Sequence, residues 1–185
     1  MPRKANFSDE SVYAAVGAEL MERGTLTVDG LKARTGLSIG SIYHRFGSRE
    51  GLMAATWLAA VSAFQDDFHA AIEGADLDRG VAAALATPRF CRRKRALAVI
   101  LACCRRSEFL GAKTPAAAQE KIAGVNERAA ARLRAFASRV DRPLLACRLA
   151  IVDLPVAAVR ACLPGDIPPE VDGYVARCYT ALLTA

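Results

Sequence analysis

The sequence predicts an all-α protein, and three observations support this fold class. Apolar residues recur at helical spacing through most of the chain, no segment alternates with the period of two that marks a half-buried strand, and runs of β-branched residues are short. Of the 185 residues, 53% are hydrophobic and 24% are charged, a composition typical of a globular chain and not of a disordered one.

Serine or threonine stands at the start of each of the first four predicted helices, where a hydroxyl can cap the unpaired backbone N–H groups. These N-cap residues are Ser8, Thr27, Ser38 and Ser48. Glycine follows each of the first three helices, as is common at helix C-termini. The pattern predicts helices over residues 8–23, 28–35, 38–45 and 49–73.

Proline divides the remainder of the chain into further predicted helices. Pro88 lacks a backbone N–H, so we expect one helix to end before it and another to begin after it. Pro155 should kink or divide the helix that contains it. The predicted helices cover residues 78–86, 89–109, 115–140, 143–163 and a last segment that begins at Asp166.

The positive charge of the chain is not concentrated in its N-terminal part. The net charge of +6 is compatible with a nucleic acid or another anionic partner. However, residues 1–50 hold seven basic and six acidic residues. The densest basic run lies within residues 89–95, for which we favour a solvated helix face over a site for an anionic effector or for additional phosphates.

Cysteine and histidine are not arranged for metal binding. The six cysteines form no CxxC pair and lie far in sequence from the two histidines, whereas zinc needs clustered ligands. We therefore expect no metal and no cofactor. We expect the free cysteines to pack as small hydrophobic residues, with redox sensing as the alternative. Their number fits a reducing cytoplasm.

No segment is predicted to enter a membrane. The most apolar run, residues 96–104, is too short to span a bilayer. Charged residues interrupt the apolar stretch near the N-terminus, so no secretory signal is expected. The sequence therefore predicts a cytoplasmic protein.

Residues 27–46 have the pattern of a helix-turn-helix, in which two short helices are joined by a tight glycine turn. Val28 and Leu31 are predicted to face inward from the first helix, and Leu37 to fill the turn, while Ile42 and Phe46 anchor the second helix at i and i+4. The remaining side chains of the second helix are polar, aromatic or basic, which suits a groove of duplex DNA.

The segment Ser-Ile-Gly-Ser-Ile-Tyr-His-Arg-Phe-Gly-Ser-Arg-Glu-Gly-Leu, residues 38–52, resembles the corresponding segment of the TetR family of transcriptional regulators. With the first helix included, the resemblance covers residues 8–55. It implies a helix-turn-helix DNA-binding domain over residues 1–52 and a helical effector-binding and dimerisation domain over residues 53–185.

The resemblance implies a set of DNA-contacting residues. The helix caps would bind phosphates, and the start of the recognition helix would meet base edges. The implied set is Thr27, Ser38, Ile39, Gly40, Ser41, Tyr43, His44, Arg45 and Arg49. Two positions depart from the family's pattern: Ile39 stands where lysine or arginine is frequent and would offer an apolar contact, and Arg45 stands where histidine is frequent. Alternatively, Tyr43 packs on the fourth helix, and Ser41 and His44 are ordinary surface residues.

The resemblance also implies a homodimer and an effector pocket in the second domain. The last two helices carry wide apolar stripes that would form a four-helix bundle with a second copy, or alternatively complete the core of the single chain. The candidate interface residues are Leu144, Ile151, Val152, Val171, Tyr174, Val175, Cys178 and Leu182. The candidate pocket residues, for which plain core packing is the alternative, are Trp57, Phe64, Phe68, Phe90, Cys103 and Phe109.

Together these features predict a sequence-specific DNA-binding transcriptional regulator. We expect a repressor that a small-molecule effector releases from a palindromic double-stranded DNA operator. A regulator that binds DNA without a small ligand is the first alternative. A small helical enzyme with a cysteine nucleophile is the second, but no histidine lies near the cysteines in sequence to act as the base. We expect neither enzymatic activity nor a membrane partner.

Overall fold

The computed structural model describes residues 8–111 and 114–184, and within these ranges it contains helices and turns but no strand. This confirms the predicted all-α fold class. Within the same ranges, no helix has both the length and the apolarity needed to cross a bilayer. The helices are α1 (Asp9–Arg23), α2 (Val28–Thr35), α3 (Ile39–Phe46), α4 (Arg49–Ile72), α5 (Val81–Arg93), α6 (Arg95–Ala102), α7 (Arg106–Phe109), α8 (Ala116–Arg139), α9 (Leu144–Arg148), α10 (Leu154–Arg160) and α11 (Glu170–Leu183).

The first four helices begin where the sequence predicts. The hydroxyl of each of the four N-cap residues accepts a hydrogen bond from the backbone N–H three residues later. Gly24 and Gly36 end α1 and α2 with φ angles of 68° and 67°, in the left-handed region that glycine adopts without strain. The predicted boundaries of these four helices are confirmed to within a single residue.

The prediction that Pro88 ends a helix is wrong. Helix α5 continues through it to Arg93 and ends at Lys94, where φ is −126° and ψ is 53°. The predicted helix over residues 89–109 is divided among α5, α6 and α7. All residues from 83 to 88 are buried. We attribute the continuation to the apolar contacts of this stretch, which offset the cost of about 3 kcal/mol for a proline inside a helix.

The predicted interruption at Pro155 takes the form of a π-helical turn, Leu149–Asp153, that joins α9 to α10. Pro155 is the second residue of α10 and is buried. The wider turn accommodates a residue that has no N–H and whose ring would clash with a preceding carbonyl in a regular helix. The helical path continues through this segment, since the residues at its ends keep right-handed helical angles.

Two groups of buried apolar side chains form the core. The larger joins the second half of α4 to α5, α8 and the last helices, and there the Tyr179 hydroxyl donates a 2.7 Å hydrogen bond to the Leu77 carbonyl. The smaller joins α1–α3 to the first half of α4, and it also includes Ile100 of α6 and Ile122 of α8. The predicted domain boundary at residue 52 lies inside α4. The three N-terminal helices therefore share their core with the rest of the chain.

Helices α1 and α6 make a close contact at Gly17. A Cβ atom at this buried position would lie 2.5 Å from the Ala96 carbonyl oxygen, at the start of α6. Because no real Cβ tolerates such a distance to a backbone oxygen, glycine at position 17 is required for the two helices to touch as they do.

We expect Gly17→Ala to lower the free energy of unfolding by about 1–3 kcal/mol, because the added methyl group forces α1 away from α6. The matched control is Gly124→Ala in α8, where a Cβ meets no atom within 4 Å. This control should instead raise the stability by about 0.5–1 kcal/mol, since alanine favours the helix. Urea unfolding of both variants measures the difference, and equal effects would contradict the close contact.

Candidate functional sites

Helix α3, the candidate recognition helix, is fixed to the N-terminal core by its apolar side. Ile42 is fully buried, and the half-buried Phe46 ring lies 5.9 Å from the Tyr13 ring of α1, measured between centroids. Tyr43 is half-buried and packs against the same core. The inward positions predicted for Ile42 and Phe46 are therefore found, whereas Val28, also predicted to face inward, is 46% exposed at the start of α2.

The opposite side of α3 faces solvent. Ser38, Gly40, Ser41 and His44 are exposed, and Ile39 is half-buried. The Ser38 and Ser41 hydroxyl oxygens lie 2.9 Å apart, and the Ser38 oxygen also accepts the Ser41 N–H at 3.1 Å. The structure thus places the start of α3 on an open surface, where these side chains can reach a partner. Their contact with DNA stays a prediction.

Arg45 has a partner within the chain. Its Nε lies 2.5 Å from an oxygen of the Asp9 carboxylate, and this ion pair ties α3 to the start of α1. The interaction with Asp9 raises the pKa of Arg45. A phosphate at this position would have to compete with Asp9 for the guanidinium.

A buried carboxylate, Glu19, joins α1 to α2. Its side chain is 1% exposed, and it accepts hydrogen bonds from the Thr27 hydroxyl at 2.8 Å and from Arg34 Nε at 2.9 Å. The hydrogen bond from Arg34, followed by that from Thr27, holds the pKa of Glu19 below its ordinary value. Glu19 is not among the site residues predicted from the sequence. The sequence feature that could have identified it is an acidic residue at a position of α1 that faces the N-terminal core.

The Glu19 contact changes the role of Thr27. The Thr27 oxygen accepts the Gly30 N–H at 3.1 Å as the N-cap of α2, and its proton is donated to Glu19. The predicted donation of this hydroxyl to a DNA phosphate would require it to leave the carboxylate. We therefore assign the Thr27 hydroxyl to the α1–α2 junction, and only the backbone of this turn remains as a phosphate-binding candidate.

A cavity of ≈ 300 Å³ lies between α4, α8 and the π-helical turn. Two of the predicted pocket residues, Phe64 and Phe68, line it. Its lining residues are Phe64, Gln65, Phe68, Ala129, Ala130, Leu133, Arg148, Ile151, Val152 and Val156. A second cavity of ≈ 70 Å³ shares Phe64 with the first and is lined by the predicted Phe90.

Three predicted pocket residues lie elsewhere. Trp57 and Phe109 are buried in the N-terminal core, which also contains residues of α1–α3. Cys103 is exposed beyond the end of α6. Aromatic content alone did not separate pocket from core, because both are lined by the same residue types. The polar lining residues Gln65 and Arg148 were not predicted.

The candidate interface residues divide into three groups according to their burial. Ile151, Val171 and Val175 are buried in the core of the single chain, so the structure corrects their assignment to a surface. Val152 is half-buried in the cavity wall. The exposed members, which remain candidates for contact with a second copy, are Leu144, Tyr174, Cys178 and Leu182.

The basic run over residues 89–95 is engaged in ion pairs. Arg92 pairs with Asp172 of α11 at 2.6 Å, Arg93 pairs with Asp67 of α4, and Arg95 pairs with Asp166 at 2.5 Å. These pairs tie the α5–α6 junction to α4 and to the start of α11. Their aspartate partners offset most of the charge that an anionic ligand would meet.

The six cysteines, all within the described residues, form no disulfide bond. Cys91 and Cys147 are buried, as expected for core residues, whereas Cys103 and Cys178 are exposed and do not fit that expectation. Burial raises the pKa of the Cys91 thiol to about 11. Among the described residues, no group of three or more histidine, cysteine or acidic side chains is placed to hold a metal ion.

The chain has the fold of TetR family regulators, as its sequence resemblance predicts. It is similar to the crystal structure of PfmR, a TetR family transcriptional regulator from Thermus thermophilus, with a TM-score of 0.71. The alignment covers 94% of this chain and 97% of that one, at 19% sequence identity. No protein-family model and no curated protein matches the sequence. At this identity the likeness establishes a common fold.

We expect Glu19→Gln to destabilise the protein at neutral pH, because a neutral amide accepts more weakly from Arg34 and Thr27. The pKa of Glu19 is lowered by folding, so its stabilising effect is present at neutral pH and is lost as the pH falls below 4.5, the ordinary pKa of a glutamate side chain. The difference between wild type and variant in urea unfolding should therefore shrink with acidification.

Glu22→Gln is the matched control for this prediction. Glu22 lies on the same helix and pairs with the same Arg34, but its side chain is 61% exposed. We expect a change of no more than about 0.5 kcal/mol for an exposed pair of this kind. Similar losses for both variants would show that burial of Glu19 is not the source of the effect.

Proposed function

We propose that the protein is a DNA-binding transcriptional regulator whose α3 helix reads the major groove. The observation that carries the proposal is the geometry of α3, which is anchored by Ile42 and presents the short polar residues at its start to solvent. The N-terminus of a helix also favours anions, so phosphates flanking the groove would be attracted to it.

Gly40 supports a close approach of DNA. It is exposed within α3, and a Cβ at this position would meet only the Ser38 oxygen, at 3.8 Å. The fold therefore does not require glycine here, although glycine weakens a helix by about 0.5–1 kcal/mol relative to alanine. A DNA backbone that must approach α3 closely would explain the glycine at this position.

We propose that the regulator acts as a homodimer, because large exposed apolar side chains concentrate on the last helices. Among the described residues, six large apolar side chains are exposed, and one of them, Val28, lies on α2. The other five lie on α9, α10 and α11 and are Leu144, Leu145, Leu154, Tyr174 and Leu182. A surface of this kind marks an interaction site, and a two-fold dimer would present two recognition helices to a palindromic operator.

Helix α4 provides a physical link for the release of DNA by a small molecule. It is a single helix of 24 residues that begins beside α3 and carries Phe64, Gln65 and Phe68 at the wall of the cavity. A ligand that prefers one position of α4 would also favour one spacing of the two α3 helices. Only a spacing near one DNA turn, about 34–36 Å, or a multiple of it, lets both helices bind. The proposed role is therefore that of a cytoplasmic, effector-released repressor.

The two alternatives are less well supported. A thiol whose pKa is raised, as that of Cys91 is, contains little of the nucleophilic thiolate at neutral pH, so its environment is the reverse of that needed for a catalytic cysteine. A regulator that responds to no ligand leaves the apolar cavity without a role, because interiors are otherwise close-packed.

We expect Arg49→Ala to weaken binding to all duplex sequences and to lower the slope of log K against log salt concentration by about one. Arg49 is exposed at the first position of α4, close to the end of α3. Binding is measured at several salt concentrations with a fragment selected from random duplex DNA. The control is Arg134→Ala, an exposed arginine of α8, which should leave the slope unchanged. Identical slopes for wild type and Arg49→Ala would remove Arg49 from the interface.

We expect the double substitution Tyr174→Glu and Leu182→Glu to convert the dimer into a folded monomer. The two glutamates would place unpaired charges in the interface between the two copies of the chain. Both side chains are exposed in the single chain, so the monomer core is not disturbed. Sedimentation equilibrium measures the mass, and circular dichroism checks the fold. Val28→Glu, which alters an exposed apolar residue of α2, should leave the dimer intact. A dimer of unchanged mass in the double variant would place the interface elsewhere.

A further inference from the structure

The cavity beside α4 contains a polar side chain that the protein does not satisfy. Gln65 is 7% exposed, and within the described part of the chain its amide has no hydrogen-bond partner. Elsewhere on α4 the buried Thr56 hydroxyl donates to the Leu52 carbonyl at 2.8 Å, whereas Nε2 of His69, one turn after Gln65, also makes no hydrogen bond within the described residues. Because the Gln65 amide lines the cavity and makes no hydrogen bond within the described residues, it can bond a ligand that accepts or donates a hydrogen bond.

A cationic side chain lies on the same cavity. Arg148 is the last residue of α9, its side chain is 62% exposed, and its Nε pairs with Asp153 at 3.2 Å. This contact is made by Nε, and the exposed guanidinium has further N–H groups that can bind a second acceptor. A carboxylate is the group that matches such a planar donor set.

The remaining walls are apolar and leave room for a small hydrocarbon body. The rings of Phe64 and Phe68 are stacked with centroids 6.2 Å apart on one side, and Ala129 and Ala130 leave space on the α8 side. The volume of ≈ 300 Å³ is at the lower end of the range of about 300–1,000 Å³ found for ligand pockets. The π-helical turn also forms part of the wall, and such turns occur frequently at functional sites.

We propose that this cavity binds a small amphipathic carboxylic acid, with its hydrocarbon body beside Phe64 and Phe68 and its carboxylate hydrogen-bonded to Arg148 and Gln65. The inference rests on the proposed function in one respect, namely that this acid is the effector. Its binding can be measured without DNA. Helix α4 carries three of the lining residues, and Arg148 is the last residue of α9. The bound acid therefore contacts both the helix that follows α3 and a helix of the proposed dimer interface.

The test is calorimetric titration of the full chain, in the absence of DNA, with two acids and their neutral amides. The probes are octanoate, octanamide, phenylbutanoate and phenylbutanamide. We expect one acid to bind per chain, at least about tenfold more tightly than its amide, because the amide lacks the charge that Arg148 recognises. Equal affinities of acid and amide, or no binding of either acid at millimolar concentration, would overturn the proposal. Operator binding, measured separately, reports on the proposed function.

Arg148→Gln should weaken acid binding by about tenfold or more and leave amide binding unchanged. Arg134→Gln is the matched control, because Arg134 is also an exposed, ion-paired arginine but does not line the cavity. Equal losses in the two variants would show a general charge effect and would contradict a specific site.

Gln65→Leu separates a binding role from a structural one. Removing an unsatisfied amide from an apolar wall should raise the thermal midpoint of the ligand-free protein, while acid binding weakens by roughly fivefold. A structural role predicts the reverse, namely a lower thermal midpoint with unchanged acid affinity. That result would remove Gln65 from the proposed site.

Discussion

The Glu19 carboxylate is the contact on which the geometry of the N-terminal helices depends. Buried at the junction of α1 and α2, it is stabilised by hydrogen bonds from the Thr27 hydroxyl and the Arg34 guanidinium. A Cβ at Gly30 would overlap its oxygens, so α2 lies closer to α1 than any larger residue would permit. Since a buried charge is tolerated only when it is paired and hydrogen-bonded, these groups fix the position of α2. The position of α2, in turn, sets the turn that leads into α3.

The N-terminal helices are also joined to the body of the chain through packing. Helix α4 runs without interruption from beside α3 to the cavity, and Ile100 and Ile122 of the body complete the N-terminal core. The close contact of α1 with α6 at Gly17 adds a second connection. Close-packed interiors transmit displacements instead of absorbing them. A change in the cavity wall therefore has a direct physical route to α3.

Charged groups in the body have mainly structural partners. The arginines of residues 92–95 connect α5 and α6 to α4 and to the start of α11 through three aspartates. Exposed pairs of this kind add little stability individually, but they specify which helices lie side by side. In contrast, the Gln65 amide makes no hydrogen bond within the described residues, and the Arg148 side chain, although paired with Asp153, is 62% exposed. The cavity therefore combines apolar walls with polar groups that can bind a ligand.

The sequence by itself determined the features that depend on residues close together in the chain. Each N-cap hydroxyl bonds a backbone N–H three residues away, so the first four helices and the helix-turn-helix were readable from Ser8, Thr27, Ser38 and Ser48. The tertiary structure decided what depends on distant partners. Helix α5 continues through Pro88 because the residues around this proline are buried. Glu19 has its structural role because Arg34 of another helix pairs with it. The relative rotation of packed helices placed Val175 inside while leaving Tyr174 exposed, because a continuous apolar stripe does not reveal which part of it the chain covers with its own residues.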